Sequence, residues 1–268
     1  MRRIGWMAAA VLFLAANAAQ AKLEIKDIKA VQGMYGPERK SLDVLPGDEV
    51  FFRFTIAGVR TDEDGKVSCV LTVQLADGKG KELFSQKSPI QGVLALGGAS
   101  MLSSALVNFG DSVPAGDYKL TVTVEDSIGK EKESFERTLT CRAPEFAIVA
   151  PRFFHDKDHK AAAPVGGRAG QILFFQLKSI GFDRSQGKID NQMKVEVLDE
   201  QGKNVLPKPI LVEFSTDDAE KAKAVTSLTF SGDIALNRAG EFTLRITLTD
   251  RMSKKTAKLE APLKVVAP

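Results

Sequence analysis

The sequence predicts an all-β fold class: two tandem β-sandwich domains of about seven strands each, after a signal peptide. Three observations predict it. One segment occurs twice with similar sequence, apolar and polar residues alternate within short segments, and turn-forming residues separate those segments. Together they indicate individual strands, the borders between strands and a duplication of the whole unit.

The duplication is clearest in PAGDYKLTVTVED (114–126) and RAGEFTLRITLTD (238–250). Upstream, LPGDEVFFRFTIAGVRTDEDGK (45–66) matches GRAGQILFFQLKSIGFDRSQGK (167–188) in nearly the same register. The offset between matching positions stays between 122 and 124 over about 80 residues. We therefore predict two copies of one domain. Their bounds are 22–141 and 146–268, and the linker RAPE (142–145) joins them.

Alternation identifies the strands. In KVSCVLTVQL (66–75) every second residue from Val67 to Leu75 is apolar, which is typical of a half-buried strand. Turn formers such as Pro46-Gly47-Asp48 and Asp77-Gly78 stand between such segments. The strands predicted in the first copy lie near 23–31, 49–57, 66–75, 81–87, 100–109, 117–125 and 132–141. Two packed sheets are needed to bury their apolar faces, and each copy should fold alone.

One segment departs from the strand pattern. TDDAEKAKAVTS (216–227) is rich in Ala and Lys, which favour helices. A helical turn and an irregular loop are both open for it.

The first 21 residues predict a signal peptide. Arg2 and Arg3 precede a short apolar run that ends in Ala19-Gln20-Ala21, the small-x-small pattern of a cleavage site. A core helix is the alternative. No later segment approaches the roughly 20 apolar residues that span a bilayer. We expect an exported mature chain without a transmembrane segment, in the periplasm, outside the cell or on its surface.

The charge balance argues against a nucleic-acid partner. Of 37 basic residues, Arg2 and Arg3 leave with the signal peptide, so 35 remain against 34 acidic ones. Acids and bases also alternate, as in EDSIGKEKESFER (125–137), and form no stripe of one sign. Trp6, the single tryptophan, lies in the predicted signal peptide, which excludes a tryptophan-lined sugar platform in the mature chain.

The repeated P-A-G-D-Y-x-L-x-V-x-V-x-D segment resembles the sixth strand of bacterial immunoglobulin-like or fibronectin-III-like domains. The tandem is also similar to exported proteins of planctomycete-type bacteria. The resemblance covers both copies and implies a fold, not an activity. No Cys lies in the sixth strand and the mature chain has no Trp, so an antibody-type domain is excluded. Tyr118 can form a tyrosine corner, whereas Phe242 has no hydroxyl.

Two segments contain several residues of the types that bind metal ions. In FHDKDH (154–159), His155, Asp156, Asp158 and His159 would present both imidazoles on one face if the segment were helical. Because it aligns with a loop of the first copy, we interpret it as a solvated loop. A zinc or copper pair is the alternative.

The second such segment is TDEDGK (61–66). Its carboxylates Asp62, Glu63 and Asp64 are ligands of the kind that calcium prefers. Its counterpart DRSQGK keeps Gly-Lys and loses most carboxylates, so we interpret it as a turn.

No catalytic set is recognisable. Both histidines lie in one loop, there is no G-x-S-x-G motif, and no phosphate-binding glycine loop occurs. We therefore expect no enzyme activity, no cofactor and no catalytic, cofactor-binding or metal-binding residues. The predicted function is an exported, non-catalytic binding or adhesion-type module that contacts another protein or a surface polymer. A structural spacer in a cell-envelope assembly is the alternative.

The cysteines Cys69 and Cys141 are predicted to stay unpaired. An immunoglobulin-like topology would place the third and seventh strands parallel in one sheet, with the sixth between them. Cys69 would then lie near one end of the sheet and Cys141 near the other, about 15–20 Å apart along the strands. A disulfide needs Cα atoms within about 7 Å.

Overall fold

The structure is a computed structural model, and it describes residues 22–268. The predicted signal peptide, residues 1–21, lies outside the described residues. The described chain is nearly all β, which confirms the predicted fold class. No helix within 22–268 is long and apolar enough to cross a membrane.

The N-terminal half forms two facing sheets with the strand orders β1-β3-β6 and β2-β8-β7-β4-β5. These strands are β1 (Glu24–Val31), β2 (Asp43–Val44), β3 (Glu49–Ala57), β4 (Lys66–Asp77), β5 (Glu82–Val93), β6 (Ser100–Asn108), β7 (Gly116–Asp126) and β8 (Glu131–Cys141).

The C-terminal half repeats that topology with the orders β14-β11-β9 and β10-β16-β15-β12-β13. Its elements are β9 (Ala147–Phe154), β10 (Gly166–Arg168), β11 (Ile172–Ile180), β12 (Ile189–Leu198), β13 (Ile210–Thr216), α1 (Ala219–Ala224), β14 (Ser227–Ala235), β15 (Gly240–Asp250) and β16 (Lys255–Val266). Strand for strand, β9–β16 correspond to β1–β8, as expected for a duplication.

Each half has eight strands where about seven were expected. The additional strands are β2 and β10, which pair in parallel with the last strand of their half. They are two and three residues long. Such short segments carry no alternation that a sequence pattern could reveal.

The alternating residues form a separate core in each half. In β4 the predicted apolar face, from Val67 to Leu75, is buried. It packs with Phe52, Phe54 and Leu120 inside the N-terminal half, and the C-terminal half has an equivalent cluster of its own. A fully buried side chain of this size stabilises a fold by about 1.5–3 kcal/mol. Independent folding of the two halves stays a prediction.

The Ala- and Lys-rich segment does form a helix. Asp218 caps α1, and its carboxylate accepts hydrogen bonds from the backbone N–H groups of Glu220 and Lys221. An N-terminal Asp offsets the unpaired amides of the first turn. Of the two possibilities left open by the sequence, the helical turn is confirmed.

The aspartate that closes the repeated segment has the same role in both halves. Asp126 and Asp250 end β7 and β15, and both are buried. Asp126 accepts hydrogen bonds from the backbone N–H groups of Arg60, Ile128 and Gly129 at 2.8–3.0 Å. Each carboxylate thus ties the turn that follows its strand to the loop after β3 or β11.

For Asp250 the backbone donors are Asp183 and Met252, at 2.8 and 3.1 Å. The hydroxyl of Ser253 donates a further hydrogen bond to the same carboxylate.

The two halves contact each other beside the linker. Asp48, nearly buried in the N-terminal half, forms an ion pair with Arg39 at 2.7 Å and accepts a hydrogen bond from the N–H of Ala150 at 3.2 Å. Glu49 pairs with Arg152 of the C-terminal half at 2.6 Å. These charged contacts fix residues on both sides of the linker.

An apolar contact accompanies the ion pairs. Leu45 of the N-terminal half packs against Val149 and Ile180 of the C-terminal half. A turn just beyond it adds a hydrogen bond, from the hydroxyl of Thr226 to the carboxylate of Asp111 at 3.0 Å. The two halves are therefore in direct contact, as a four-residue linker allows.

The cysteine prediction is confirmed. Cys69 and Cys141 are both buried and free. β4 and β8 lie on either side of β7 and run parallel, as the immunoglobulin-like resemblance implied. Cys69 lies opposite Asp126, which lies opposite Glu131 at the start of β8, whereas Cys141 ends β8. At about 3.3 Å per residue the two cysteines are about 33 Å apart along the sheet, more than the expected 15–20 Å.

Candidate binding surface

The histidine segment is a loop. It connects β9 to β10, and Asp156 shapes it by accepting hydrogen bonds from the N–H groups of Asp158, Lys160 and Ala161. Those bonds, the one from Ala161 first, lower the pKa of the Asp156 carboxyl below its ordinary value. The segment is not helical, so the spacing of His155 and His159 does not place them on one helical face.

His159 contacts an aromatic ring and an amide side chain. Its ring lies on Phe154 with centroids 4.8 Å apart, and its Nδ1 is 3.3 Å from Nε2 of Gln176. The interpretation as a loop is confirmed.

The acidic segment 61–66 is a turn. Oδ1 of Asp62 accepts hydrogen bonds from the N–H groups of Asp64 and Lys66, and Gly65 adopts φ +74°. The ammonium of Lys66 lies 2.7 Å from the Asp64 carboxylate. The hydrogen bonds that shape the turn thus use the Asp62 carboxylate, in agreement with the turn interpretation. Among residues 22–268 there is no group of three or more His, Cys, Asp or Glu that could hold a metal ion.

The cysteines lie in surroundings that favour the neutral thiol. Burial, together with the charge of Asp126, raises the pKa of Cys69 from 9.0 to about 11. Burial also raises the pKa of Cys141. A nucleophilic cysteine needs the thiolate, so both side chains are suited to packing.

The tyrosine corner allowed by the sequence is formed. The hydroxyl of Tyr118 donates a hydrogen bond to the carbonyl oxygen of Pro114 at 2.7 Å. The ring packs edge to face on Phe109, with centroids 5.5 Å apart. The corresponding residue in the C-terminal half, Phe242, lacks the hydroxyl and is partly exposed.

The outer edges of the two large sheets are surfaces with free backbone groups. β5 ends one sheet and β13 ends the other, and each pairs along one side only. An unpaired edge offers N–H and C=O groups to any extended chain. These two equivalent edges are therefore places where another polypeptide can add.

The two edges differ in how they are protected. Cys69 pairs with Ile90 of β5, and Asn191, its counterpart, pairs with Phe214 of β13. Counting from these pairs, Lys87 of β5 corresponds to Leu211 of β13, and Pro89 corresponds to Glu213.

Lysine and proline are the residues by which natural edge strands prevent further pairing. Proline has no N–H for the β4 ladder, so we place its nitrogen on the free side of β5. Pro89 therefore removes one backbone N–H donor from the free side of β5. β13 contains neither residue type, and Leu211 on it is 54% exposed.

The open part of β13 is its beginning. At the other end, α1 lies beside the strand, with the Lys221 ammonium 5.6 Å from the ring centroid of Phe214. Glu213 forms an ion pair with Arg251. In the described chain, no strand pairs with the outer side of the backbone of Ile210–Glu213.

The sequence alone does not predict this surface. Its signal is present but small: QKSPI (86–90) in the first copy stands where the second has ILVEF (210–214). Only the observed pairing shows that both segments are sheet edges.

Comparison with known proteins leaves the family open. No family model matches the chain, and no curated protein matches it. Among solved structures, the C-terminal domain of the Streptococcus agalactiae AgI/II polypeptide BspA is 11% identical with a TM-score of 0.28. Its match covers 90% of this chain and 100% of that one.

Two longer proteins are similar over part of their length. Dimeric latent PorU from Porphyromonas gingivalis is 11% identical, with a TM-score of 0.39, over 93% of this chain and 21% of that one. Red sea bream transglutaminase is 8% identical, with a TM-score of 0.29, over 92% of this chain and 31% of that one. The chain thus spans about a third of the transglutaminase. These scores carry no argument about function, and the similarity to planctomycete-type proteins stays a prediction.

Proposed function

We propose that this chain is an exported, non-catalytic binding module that pairs the β13 edge with an extended segment of another protein. The observation that carries the proposal is the contrast between two equivalent edges, of which β5 is protected and β13 is open. Such an adhesion-type module would act in the periplasm, outside the cell or on its surface, where the predicted signal peptide would send it.

Strand addition suits the beginning of β13. An incoming strand gains main-chain hydrogen bonds from the free edge, and its alternate side chains meet Leu211 on one face and Ile210 on the other. Each hydrogen bond contributes about 0.5–1.5 kcal/mol net. Main-chain pairing alone is therefore weak, and side-chain contacts must supply specificity. A protein segment meets both needs, which is why we place a protein before a surface polymer.

The test transplants the protection of β5 onto β13. Residues 22–268 carrying Leu211→Lys and Glu213→Pro reproduce the residues found at Lys87 and Pro89. Wild type and variant are immobilised and exposed to an envelope extract of the source organism, and captured proteins are identified by mass spectrometry. Leu96→Ser, a change at a fully exposed residue of the β5–β6 loop, serves as the matched control. Circular dichroism verifies that each variant is folded.

The proposal expects a partner that binds wild type and the Leu96→Ser control saturably and loses at least about tenfold in affinity for the β13 variant. On binding, amide hydrogen exchange should slow at Leu211 and Glu213. A partner that binds the folded β13 variant as tightly as wild type would refute strand addition at this edge.

A structural spacer is the second candidate. It is favoured by the contacts between the halves, in which Asp48, Glu49 and Leu45 join the C-terminal half beside a four-residue linker. Such contacts suit a semi-rigid connection. The same capture experiment separates the two functions, since a spacer leaves every envelope fraction without a saturable partner. Small-angle scattering that showed freely reorienting halves would exclude the spacer.

A further inference from the structure

A hollow of 440 Å³ opens between the two sheets of the C-terminal half. It lies at the end of the sandwich opposite the contact with the N-terminal half, since Ile172 and Ile180 mark opposite ends of β11. Most of its wall is apolar, and Leu206, Leu236 and Phe242 contribute to it. Its size and lining are those of a site for an apolar group.

The hollow arises at two positions where the copies differ. Phe109 follows β6 directly, as Leu236 follows β14, and Tyr118 corresponds to Phe242. In the N-terminal half the two aromatic rings pack edge to face and are almost fully buried. Leucine fills less space than phenylalanine, and Phe242 has no hydroxyl to anchor its ring. The end of the second sandwich is consequently open.

The hollow is continuous with the open edge strand. Ile210, the first residue of β13, lines it, and so do Val205 and Pro207 in the connection that leads into β13. Val205 and Ile210 are also exposed to solvent. A chain added to β13 therefore runs past the mouth of the hollow with its side chains at the spacing of a strand.

Arg238 is the cation in the lining of the hollow. Arg238 holds its guanidinium over the Phe242 ring at 5.2 Å, and Lys208 follows directly after Pro207. None of the ion pairs within 22–268 involves Arg238 or Lys208. One carboxylate, that of Asp233 on β14, also lines the hollow. An acidic group beside an apolar anchor would complement Arg238.

From this geometry we infer that the hollow is an anchor site for a bulky apolar side chain that an acidic residue flanks, carried by an extended peptide. The inference rests on the proposed strand addition for its peptide backbone and on the hollow for its specificity. The anchor enters between Leu236 and Phe242, and the acidic group pairs with Arg238.

The first test uses a small probe without a peptide backbone. Anilinonaphthalene sulfonate combines an aromatic body with an anion and fluoresces when it leaves water. We expect saturable binding to residues 22–268. Leu236→Phe, which restores the residue of the first copy, should weaken that binding at least about tenfold, and Arg238→Glu should weaken it several-fold. Leu96→Ser, at an exposed apolar residue far from the hollow in sequence, should leave it unchanged.

The second test uses ten-residue peptides displayed on phage and selected on the same protein. Enriched peptides should share a bulky apolar residue next to Asp or Glu and should not bind Leu236→Phe. Probe and peptides that bind folded Leu236→Phe as well as wild type would overturn the anchor site. Where Leu236→Phe does not fold, the surface change Arg238→Glu decides instead: unchanged affinity for both probe and peptides overturns the inferred site, because pairing with Arg238 is part of it.

Failure of the proposed function gives a different pattern. Peptides that need the hollow but bind the Leu211→Lys/Glu213→Pro variant normally would keep the anchor site and remove strand addition. Peptides that fail on both variants support both inferences.

Discussion

The two halves of the molecule share every strand, and the differences that bear on binding lie on one edge and at one end. Phe109 and Tyr118 close the first sandwich, whereas Leu236 and Phe242 leave the second one open. Lys87 and Pro89 protect the first edge. The duplicated β scaffold thus tolerates change at its margins, and the proposed binding surface lies at the margins of the second copy.

The contact between the halves involves another position at which the two copies differ. Asp48 of the first copy reaches across to the N–H of Ala150, whereas its counterpart Gln171 accepts a hydrogen bond from the N–H of Arg168 in its own half. One position thus links two domains in the first copy and closes a local turn in the second.

The largest effect is expected where the halves are alike. Asp126→Ala leaves three partly buried backbone amides without their acceptor and should destabilise the N-terminal half by about 3 kcal/mol or more. Asp250→Ala should do the same to the C-terminal half. Calorimetry should show that each variant lowers a different transition. Equal shifts of a single transition by both variants would contradict independent folding of the halves.

A smaller effect should distinguish the two halves. Tyr118→Phe removes the hydrogen bond to the Pro114 carbonyl and should cost about 1 kcal/mol in denaturant unfolding. Phe242→Ala tests the corresponding ring of the second copy, which is already partly exposed, and should cost less than Tyr118→Ala. The reverse order of these two alanine variants would show that the second ring is packed as firmly as the first.

The smallest effect at neutral pH concerns Cys69. Because burial raises its pKa to about 11 in the folded protein, the neutral thiol stabilises the fold fully below pH 9.0. That contribution is lost as the pH rises through about 11. Cys69→Val should therefore flatten the decline in unfolding free energy between pH 9 and 11, measured by urea titration. Identical slopes for wild type and variant would refute a raised thiol pKa.

The sequence predicts the fold because strands need only alternation, turns and a repeat. The segment 66–75 alternates and lies in β4, and the segment 114–126 is repeated at 238–250 and contains β7 from Gly116 onward. The short β2 and β10 were missed since two or three residues carry no period. The candidate surface could not be predicted because an edge exists only after strands have paired. Pro89 is informative once β5 is known to end its sheet.

The helix at Ala219–Ala224 could be predicted only in part. Its composition allowed a helical turn, and the capping bonds of Asp218 explain why it forms. The hollow depends on which rings meet across two sheets, and Phe109 and Tyr118 are nine positions apart in sequence. Only the packing shows that they touch and that their counterparts leave space.

The most direct test of the account exchanges the edge residues between the copies. One variant carries Leu211→Lys and Glu213→Pro, and its reciprocal carries Lys87→Leu and Pro89→Glu. Isothermal titration with the partner captured by wild type measures the affinity and the number of sites. We predict that the first variant loses at least about tenfold in affinity and that the reciprocal variant keeps the wild-type site. Unchanged affinity in the first variant, folded as shown by circular dichroism, would contradict the claim that the open edge of β13 is the binding surface.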